Sequence, residues 1–231
     1  MIKLYFVIAI ITTHINGLLL SNNITNKPMK LFDILYDNDG WKSVESTEKY
    51  NVHTKKIGYK NLLAVMVSAE LALSKKILQN VIMDVSNYEK FLVGSGNFIS
   101  REIRKTDKFV DAYQFLSIDI PFFNNREYMF RMFSSGYNSE DTTSIIHWFL
   151  LDEDVELLEN EGKSATYLNY GAGLWVVEKK EQDKALFSYR IYIDPGGSIP
   201  DFLTDMINKT SIINIFKDAT AEAQKRQSKS Y

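Results

Sequence analysis

The chain has 231 residues, and 27 Lys and Arg against 29 Asp and Glu give it a formal net charge of −2. Apolar residues make up 45%, charged residues 24% and aromatic residues 13%, which are globular proportions that exclude collagen, coiled coil and intrinsic disorder. The nearly neutral charge argues against a nucleic-acid partner, because proteins that bind nucleic acid usually carry a basic excess.

The residue inventory also limits the chemistry of this chain. It contains no Cys, so disulfides, thiolate metal sites, iron–sulfur clusters and a Cys nucleophile are excluded. The three histidines, His14, His53 and His147, are far apart in the sequence and lack the spacing of a zinc site. His147 lies in a strand-like run and is interpreted as structural. We therefore expect neither a metal ion nor another cofactor.

The N-terminal segment 1–20 has the composition of a secretory signal. Lys3 precedes the apolar run 4–11, and polar residues then interrupt the apolar character. A positive start followed by about 7–15 apolar residues is typical of a signal peptide, whereas a membrane-spanning helix needs about 20 continuous apolar residues. We predict a signal peptide, which would make the mature protein secreted or periplasmic. If the segment is not cleaved, it is a membrane anchor or a docking helix of the domain.

The remainder of the chain shows one change of composition. Residues 21–30 are polar and Asn-rich and contain Pro28, so they are predicted to be a linker. Residues 31–228 show no further shift and are predicted to form one domain. Within it, the apolar and β-branched run 60–70 predicts a strand. The helical spacing of apolar residues over 74–91 predicts a helix.

Strand-like runs separated by turn residues extend from 98 to 194. Such closely spaced strands favour a meandering antiparallel sheet over strand–helix–strand units. In the runs 126–133 and 186–193, large apolar side chains alternate with polar or charged ones. This period of two predicts one apolar, aromatic sheet face and one wet face.

The last predicted element is a long amphipathic helix. Apolar residues recur at helical spacing from 199 to 226, after the turn Asp194-Pro-Gly-Gly197. A helix with a wide apolar stripe needs an apolar partner. The apolar sheet face is the obvious one.

The order of these elements resembles the START lipid-transfer family of the helix-grip superfamily. The resemblance covers about residues 38 to 226. Its strongest match is Asp119-Ile-Pro-Phe-Phe-Asn-Asn-Arg-Glu-Tyr128, which is similar to the family's Pro-aromatic-Pro-x-Ser-Asn-Arg-Asp-Tyr segment. Further matches are Asp39-Gly-Trp41, Lys56-Ile-Gly-Tyr59, Met83-Asp-Val-Ser-Asn-Tyr88, and Tyr189–Pro200 at the entry to the final helix.

The resemblance implies an α+β fold in which a curved antiparallel sheet wraps around the C-terminal helix and encloses a hydrophobic tunnel. It also implies non-catalytic binding and transfer, or sensing, of one lipid by a monomer that contacts membranes transiently. The residues expected to line the tunnel are Tyr113, Phe115, Tyr128, Phe130, Met132, Phe187, Tyr189, Ile191, Phe202 and Met206. Leu157 and Leu158 are expected to act as a lid, and Gly196 and Gly197 as a hinge.

One position departs from the family's sterol-binding pattern. Sterol-binding members often carry an Arg six residues after the motif Arg, paired with a carboxylate on a neighbouring strand. Met132 stands at that position here, and Arg131 points to the opposite face by strand alternation. Tyr113 and Gln114 stand where the acid would be. The lipid class therefore stays open: a sterol, a phospholipid or another apolar molecule.

Two alternatives remain at this level. The aromatic face could belong to a filled core instead of a tunnel. An enzyme of the aromatase or cyclase kind is the second functional hypothesis, and it would need acid–base groups that converge in the cavity. The predicted inward faces offer chiefly tyrosine hydroxyls, those of Tyr113, Tyr128 and Tyr189, which are better suited to orienting a polar group of a ligand.

Overall fold

The computed structural model describes residues 29–57, 63–118, 123–137, 143–153, 165–180, 184–196 and 201–229, without the side chains of 201–208. The elements in chain order are α1 (29–36), β1 (Lys42–Ser46), β2 (Asn51–Lys56), β3 (Leu63–Leu71), α2 (Lys75–Ile82), α3 (Tyr88–Phe91), β4 (Phe98–Lys105), β5 (Phe109–Leu116), β6 (Asn125–Phe133), β7 (Ser144–Leu150), β8 (Ala165–Tyr167), β9 (Gly171–Lys179), β10 (Ala185–Ile193) and α4 (Asp201–Ser228). No helix in these ranges is long and apolar enough to cross a bilayer.

Nine of the strands form one open sheet in the order β1-β2-β3-β10-β9-β7-β6-β5-β4, and every neighbouring pair is antiparallel. The predicted antiparallel sheet is therefore confirmed. Two features depart from a simple meander. β3 pairs with β10, which joins the first and last parts of the sheet, and the short β8 runs parallel to the start of β6.

The sheet is strongly curved. Leu63 in β3 and Phe98 in β4 line the same cavity, although six strand spacings separate their strands in the sheet. At about 4.8 Å per spacing, a flat sheet would hold them about 29 Å apart. The sheet must bend to bring both strands to one cavity.

Helix α4 packs against the concave face of this sheet. Its buried residues Ile212, Phe216, Ala219 and Ala223 recur three and four positions apart, so they form one stripe along the helix. They belong to a single apolar cluster with inward residues of the sheet such as Val67. The predicted C-terminal helix is confirmed, and it begins two residues later than the pattern suggested.

The convex face is covered by helix α1, which the sequence pattern did not predict. Its residues 29 and 30 fall inside the predicted linker. Leu31, Phe32 and Leu35 pack on small and apolar residues of the sheet, including Ala172. Arg190, assigned to a wet face, is buried under this helix. This part of the outer face is dry because α1 shields it.

Arg190 also holds the end of α1. Its Nη1 donates to the carbonyl oxygens of Leu35 at 3.1 Å and Tyr36 at 2.8 Å, and its Nη2 reaches Glu178 at 3.3 Å. The last carbonyls of a helix lack partners within the helix and carry partial negative charge. The buried guanidinium of Arg190 provides these carbonyls with hydrogen-bond donors and with a positive charge.

The helix predicted over 74–91 is broken. It consists of α2, a turn of 3-10 helix at Val85–Asn87, and α3. The Tyr88 hydroxyl donates to the Ile82 carbonyl and thereby closes the bend between the segments. Apolar residues on both sides of the break face the same core, which explains why the pattern looked continuous.

Candidate ligand-binding site

A cavity of about 230 Å³ lies between the concave face of the sheet and helix α4. Its described lining is mainly apolar and aromatic, and α4 contributes Ile212, Ile215 and Ala219. The volume lies slightly below the range of about 300–1,000 Å³ that is usual for sites of drug-sized ligands. A ligand therefore has to be compact, or the walls have to separate to admit it. The aromatic sheet face thus lines a cavity, whereas the sequence had left a filled core as the alternative.

Stacked aromatic rings form one wall of the cavity. Trp175 stacks on Tyr189 with ring centroids 4.5 Å apart and on Phe216 of α4 with centroids 5.7 Å apart. Trp148 lies edge-on to Phe130 at 6.1 Å. Offset and edge-on aromatic pairs stabilise packing beyond the area that they bury. These contacts connect the sheet wall directly to helix α4.

Gly173 leaves room for the Trp148 ring. A Cβ atom at this position would lie 2.5 Å from the indole atoms Cε2 and Nε1. Such a distance is a severe clash, so the ring can occupy its place only because residue 173 lacks a side chain. Gly171 and Gly173 both lie in β9.

Three tyrosines line the cavity: Tyr88, Tyr128 and Tyr189. Burial is the main cause that raises the pKa of each, and the neighbouring tyrosines raise the pKa of Tyr88 and Tyr189 further. All three are therefore uncharged over the physiological pH range. They can donate and accept hydrogen bonds but do not supply charge.

Gln114 on β5 forms a polar pair with Tyr128 on β6. The two residues stand directly opposite each other, and the Tyr128 hydroxyl donates to Gln114 Oε1 at 2.5 Å. Gln114 Nε2 donates in turn to Ser100 Oγ at 3.2 Å. These groups form a neutral polar strip across β4, β5 and β6.

Arg126 also lines the cavity. It lies on the same face of β6 as Tyr128, two residues nearer the start of the strand. Its Nε donates to the Pro195 carbonyl at 2.7 Å, its Nη1 to Asn124 at 2.5 Å and Asn125 at 3.2 Å, and its Nη2 to Gly196 at 3.3 Å. Burial lowers the pKa of this guanidinium below its ordinary value. Arg126 thus fastens the segment that precedes α4 to the start of β6.

Glu127, the next residue of the same motif, points outward and accepts a hydrogen bond from Tyr113 at 2.9 Å. Arg126 and Glu127 therefore do not form an ion pair with each other.

Half of the predicted lining residues face the cavity. Tyr128, Phe130, Met132, Tyr189 and Ile191 line it. Phe187 is fully buried in the same apolar cluster, but it lies outside the cavity lining. The side chains of Phe202 and Met206 lie outside the described part of α4.

Tyr113 and Phe115 were wrongly assigned to the cavity. Both are buried on the opposite face of β5, in a small cluster with Met129. Strand alternation explains the error, because Gln114 and Leu116 take the inward positions. The Tyr113 hydroxyl, assigned a role in orienting the ligand, instead bonds to Glu127 on the convex side.

The predicted assignments of Met132 and Arg131 agree with the structure. Met132 lines the cavity and is only 4% exposed. Arg131 points outward, where its Nε lies 2.6 Å from Asp111 Oδ1, and Arg104 reaches the other carboxylate oxygen at 2.7 Å. Burial raises the pKa of Asp111, but the hydrogen bonds from Arg131 and Arg104 outweigh it, so the net shift is downward.

Only one of the four lid and hinge residues can be located. Gly196 adopts a φ of +62°, which glycine tolerates far better than other residues. Its carbonyl accepts from Arg126, and its amide donates to Asp194 Oδ1 at 3.1 Å. Leu157, Leu158 and Gly197 lie outside the described residues, so their predicted roles stay predictions.

A loop after α3 closes the cavity beside α4. Leu92, Ser95 and Asn97 line the cavity, and the backbone of Gly94 is held by α4: its amide donates to Asp218 Oδ2 at 2.7 Å, and its carbonyl accepts from Asn214. The contribution of this loop to the wall depends on contacts with residues more than a hundred positions away.

Sequence reasoning also missed Tyr88, Trp148 and Trp175 as lining residues. The alternation in β7, with Trp148 two positions from Leu150, was a usable signal. The described residues bring together no group of three His, Asp or Glu side chains that would hold a metal ion. The site is thus defined by mainly apolar walls, a neutral polar strip and the guanidinium of Arg126.

The described chain has a START-like helix-grip fold, in which an open, curved antiparallel sheet holds a long C-terminal helix. The structure is similar to a STAR-related lipid transfer protein fragment from Xanthomonas axonopodis, with a TM-score of 0.65, 18% identity, and coverage of 80% of this chain and 99% of that one. It is also similar to human StAR-related lipid transfer protein 5, with a TM-score of 0.65, 13% identity, and coverage of 90% and 98%. Human STARD10 has a TM-score of 0.61 at 12% identity, with coverage of 87% and 81%.

By sequence, no family model and no curated protein matches the chain. The likeness to solved structures is therefore one of fold. It confirms the fold that the motifs implied.

Proposed function

We propose that this protein binds one apolar lipid per monomeric chain in the cavity, and carries or presents it without catalysing a reaction on it. The observation that carries the proposal is the cavity between sheet and helix, with its mainly aromatic and aliphatic walls. Concave, mainly apolar sites with few polar groups are typical of small-molecule binding. The similar structures from Xanthomonas axonopodis and human are described as lipid transfer proteins, which supports the same use of this cavity.

The chemistry of the lining favours a carrier over an aromatase or cyclase. General acid–base catalysis is most effective when the pKa of the catalytic group lies near the working pH. Burial moves the pKa of Tyr88, Tyr128 and Tyr189 upward, away from neutrality. These hydroxyls are suited to bind a ligand group and poorly suited to exchange protons with it.

Native mass spectrometry of the purified protein tests this proposal. We expect a bound species at one lipid per chain, released by organic solvent and identified in the extract. Ala219→Phe should abolish it, because Ala219 lines the cavity from α4 and is 3% exposed. Ala221→Phe is the matched control, since Ala221 is exposed on the same helix. Absence of any lipid on the wild-type protein, including after incubation with mixed lipid vesicles, would refute the proposal.

We further propose that residues 1–20 direct export and are removed, which would place the mature protein outside the cell or in a periplasm. The basis is the composition of this segment, which lies outside the described residues. Release of the lipid would then require transient contact with a membrane. The intact mass of the protein recovered from its native source tests the cleavage, and a mass that retains residues 1–20 would indicate an anchor instead.

A further inference from the structure

Gly173 lies inside strand β9, at a position where the backbone itself does not require glycine. The glycines with a positive φ among the described residues are Gly40, Gly96 and Gly196. A glycine inside a strand weakens it, because it contributes no side-chain packing and loses more conformational entropy on folding than other residues. The reason for glycine at 173 therefore lies in the space around it.

That space is taken by the Trp148 indole. The three atoms nearest to a Cβ built at 173 all belong to this ring, at 2.5, 2.5 and 2.7 Å. Trp148 stands directly opposite Gly173 in the pairing of β7 with β9. The indole thus lies over the β9 backbone, in the volume that a side chain of residue 173 would occupy. At Gly171, by contrast, the nearest atoms belong to β10, and two of them are backbone atoms.

The described neighbours of the indole leave open the side that faces the cavity. Met132 stands opposite Trp148 on β6, and Phe130 lies edge-on to the indole with ring centroids 6.1 Å apart. Both of these side chains are buried. Trp175, the next residue on this face of β9, is held by its own ring stacking. Because Trp148 lines the cavity, a displaced indole moves into the ligand space.

We infer that Gly173 and Trp148 together set the size of the ligand that the cavity accepts, with the glycine providing the recess that keeps the indole out of the ligand space. The inference rests on the proposed function and names the residues that limit the size of its ligand. A Cβ at 173 would force the indole from 2.5 Å to an ordinary contact of at least 3.4 Å. In a cavity of about 230 Å³, such a displacement shortens the longest ligand that fits.

The test is a series of straight-chain alcohols from hexanol to dodecanol, in which only the chain length changes. Each alcohol displaces the neutral fluorophore N-phenylnaphthylamine, whose own affinity is first measured for every variant. Affinity should rise about fourfold with each methylene group until the chain fills the cavity, and should then level off. The chain length at which it levels off measures the size limit.

Three variants assign this limit to the pair. Gly173→Ala should lower it, and each methylene group that no longer fits should cost about fourfold in affinity. Trp148→Leu should raise it, because the smaller apolar side chain leaves part of the volume of the indole to the ligand. The double variant should show no loss relative to Trp148→Leu, because the added methyl group at 173 no longer meets an indole. Such non-additivity is expected of two residues that act through one contact.

Leu174→Ala is the matched control for a loss of stability. Leu174 is the next residue of β9 and is fully buried on the convex face, in the apolar cluster that includes α1. Its truncation destabilises the fold but leaves the cavity face unchanged, so the size limit should stay at the wild-type value. A decrease equal to that in Gly173→Ala would assign the effect to stability alone and overturn the inference.

The remaining outcomes separate this inference from the proposed function. A wild-type affinity that does not level off, an unchanged limit in folded Gly173→Ala, or an equal loss with and without the indole would overturn the inference while leaving lipid binding intact. If Gly173→Ala does not fold, Trp148→Leu decides, because an unchanged limit in that variant would refute the role of the indole. Failure of the fluorophore and of all alcohols to bind the wild-type protein would overturn the proposed function itself.

Discussion

Replacing Met132 with arginine tests whether the concave face is dry. Met132 is 4% exposed, and the sheet flanks it with Val110 on β5 and Trp148 on β7. The described residues that line the cavity include no carboxylate that could pair with the new cation. Met132→Arg would therefore place an unpaired charge among apolar side chains.

The magnitude follows from the cost of an uncompensated buried charge, which is about 3–5 kcal/mol. In a domain of about 150–250 residues, each kcal/mol of destabilisation lowers Tm by roughly 2–4 °C. Even the lower limit of 3 kcal/mol thus predicts a loss of about 6–12 °C. Thermal unfolding followed by circular dichroism resolves such a change readily.

Two companion variants make the result specific. Met132→Leu keeps the side chain apolar and close in volume, so it should cost less than about 1.5 kcal/mol. Val110→Glu added to Met132→Arg places a carboxylate directly opposite the cation, within reach across the strand pair, and should recover part of the lost stability. If Met132→Arg unfolds within about 2 °C of the wild type, the side chain faces water and the reasoning about the dry cavity is wrong.

Three further predictions concern the framework around the cavity. Gly173→Ala should destabilise the fold by about 2 kcal/mol, because the added Cβ meets the Trp148 ring at 2.5 Å; an unchanged Tm would show that the ring can move aside. Arg190→Met should accelerate amide hydrogen exchange in residues 29–36, because it removes the donors to the last carbonyls of α1; unchanged exchange would mean that apolar packing alone holds the helix. The lowered pKa of Asp111 predicts a contribution to stability that is fully present above about pH 4 and is lost as the pH falls through the lower folded-state pKa. Asp111→Asn should remove that component from the pH profile of unfolding, and an identical acid profile in the variant would contradict the assignment.

Alternation along β6 was readable from the sequence because it depends only on local geometry. Side chains two positions apart share a face, so Tyr128, Phe130 and Met132 point together once one of them is placed. The same rule predicts that Arg131 points outward, where it pairs with Asp111. The approximate start of the final helix could be predicted in the same way, from the Pro–Gly turn and the helical period that follows it.

Strand β5 shows where the local pattern stops being informative. Most of its residues are buried on either face, so hydrophobicity does not distinguish Tyr113 from Gln114. The register with β6 decides between them, because Gln114 stands opposite the inward Tyr128. A shift of one residue exchanges the faces of a strand, and only the pairing of two strands sets that register.

The sequence by itself determined the order, type and approximate extent of most elements, together with the general character of the two sheet faces, because periods of two and 3.6 residues arise within single segments. Only the tertiary structure decided which side chains meet in the cavity. Tyr88, Gln114, Tyr128 and Tyr189 come from α3, β5, β6 and β10, and the pairing of β3 with β10 joins residues more than a hundred positions apart. Such contacts depend on the burial of the whole apolar face against α4. No single segment of the chain contains that information.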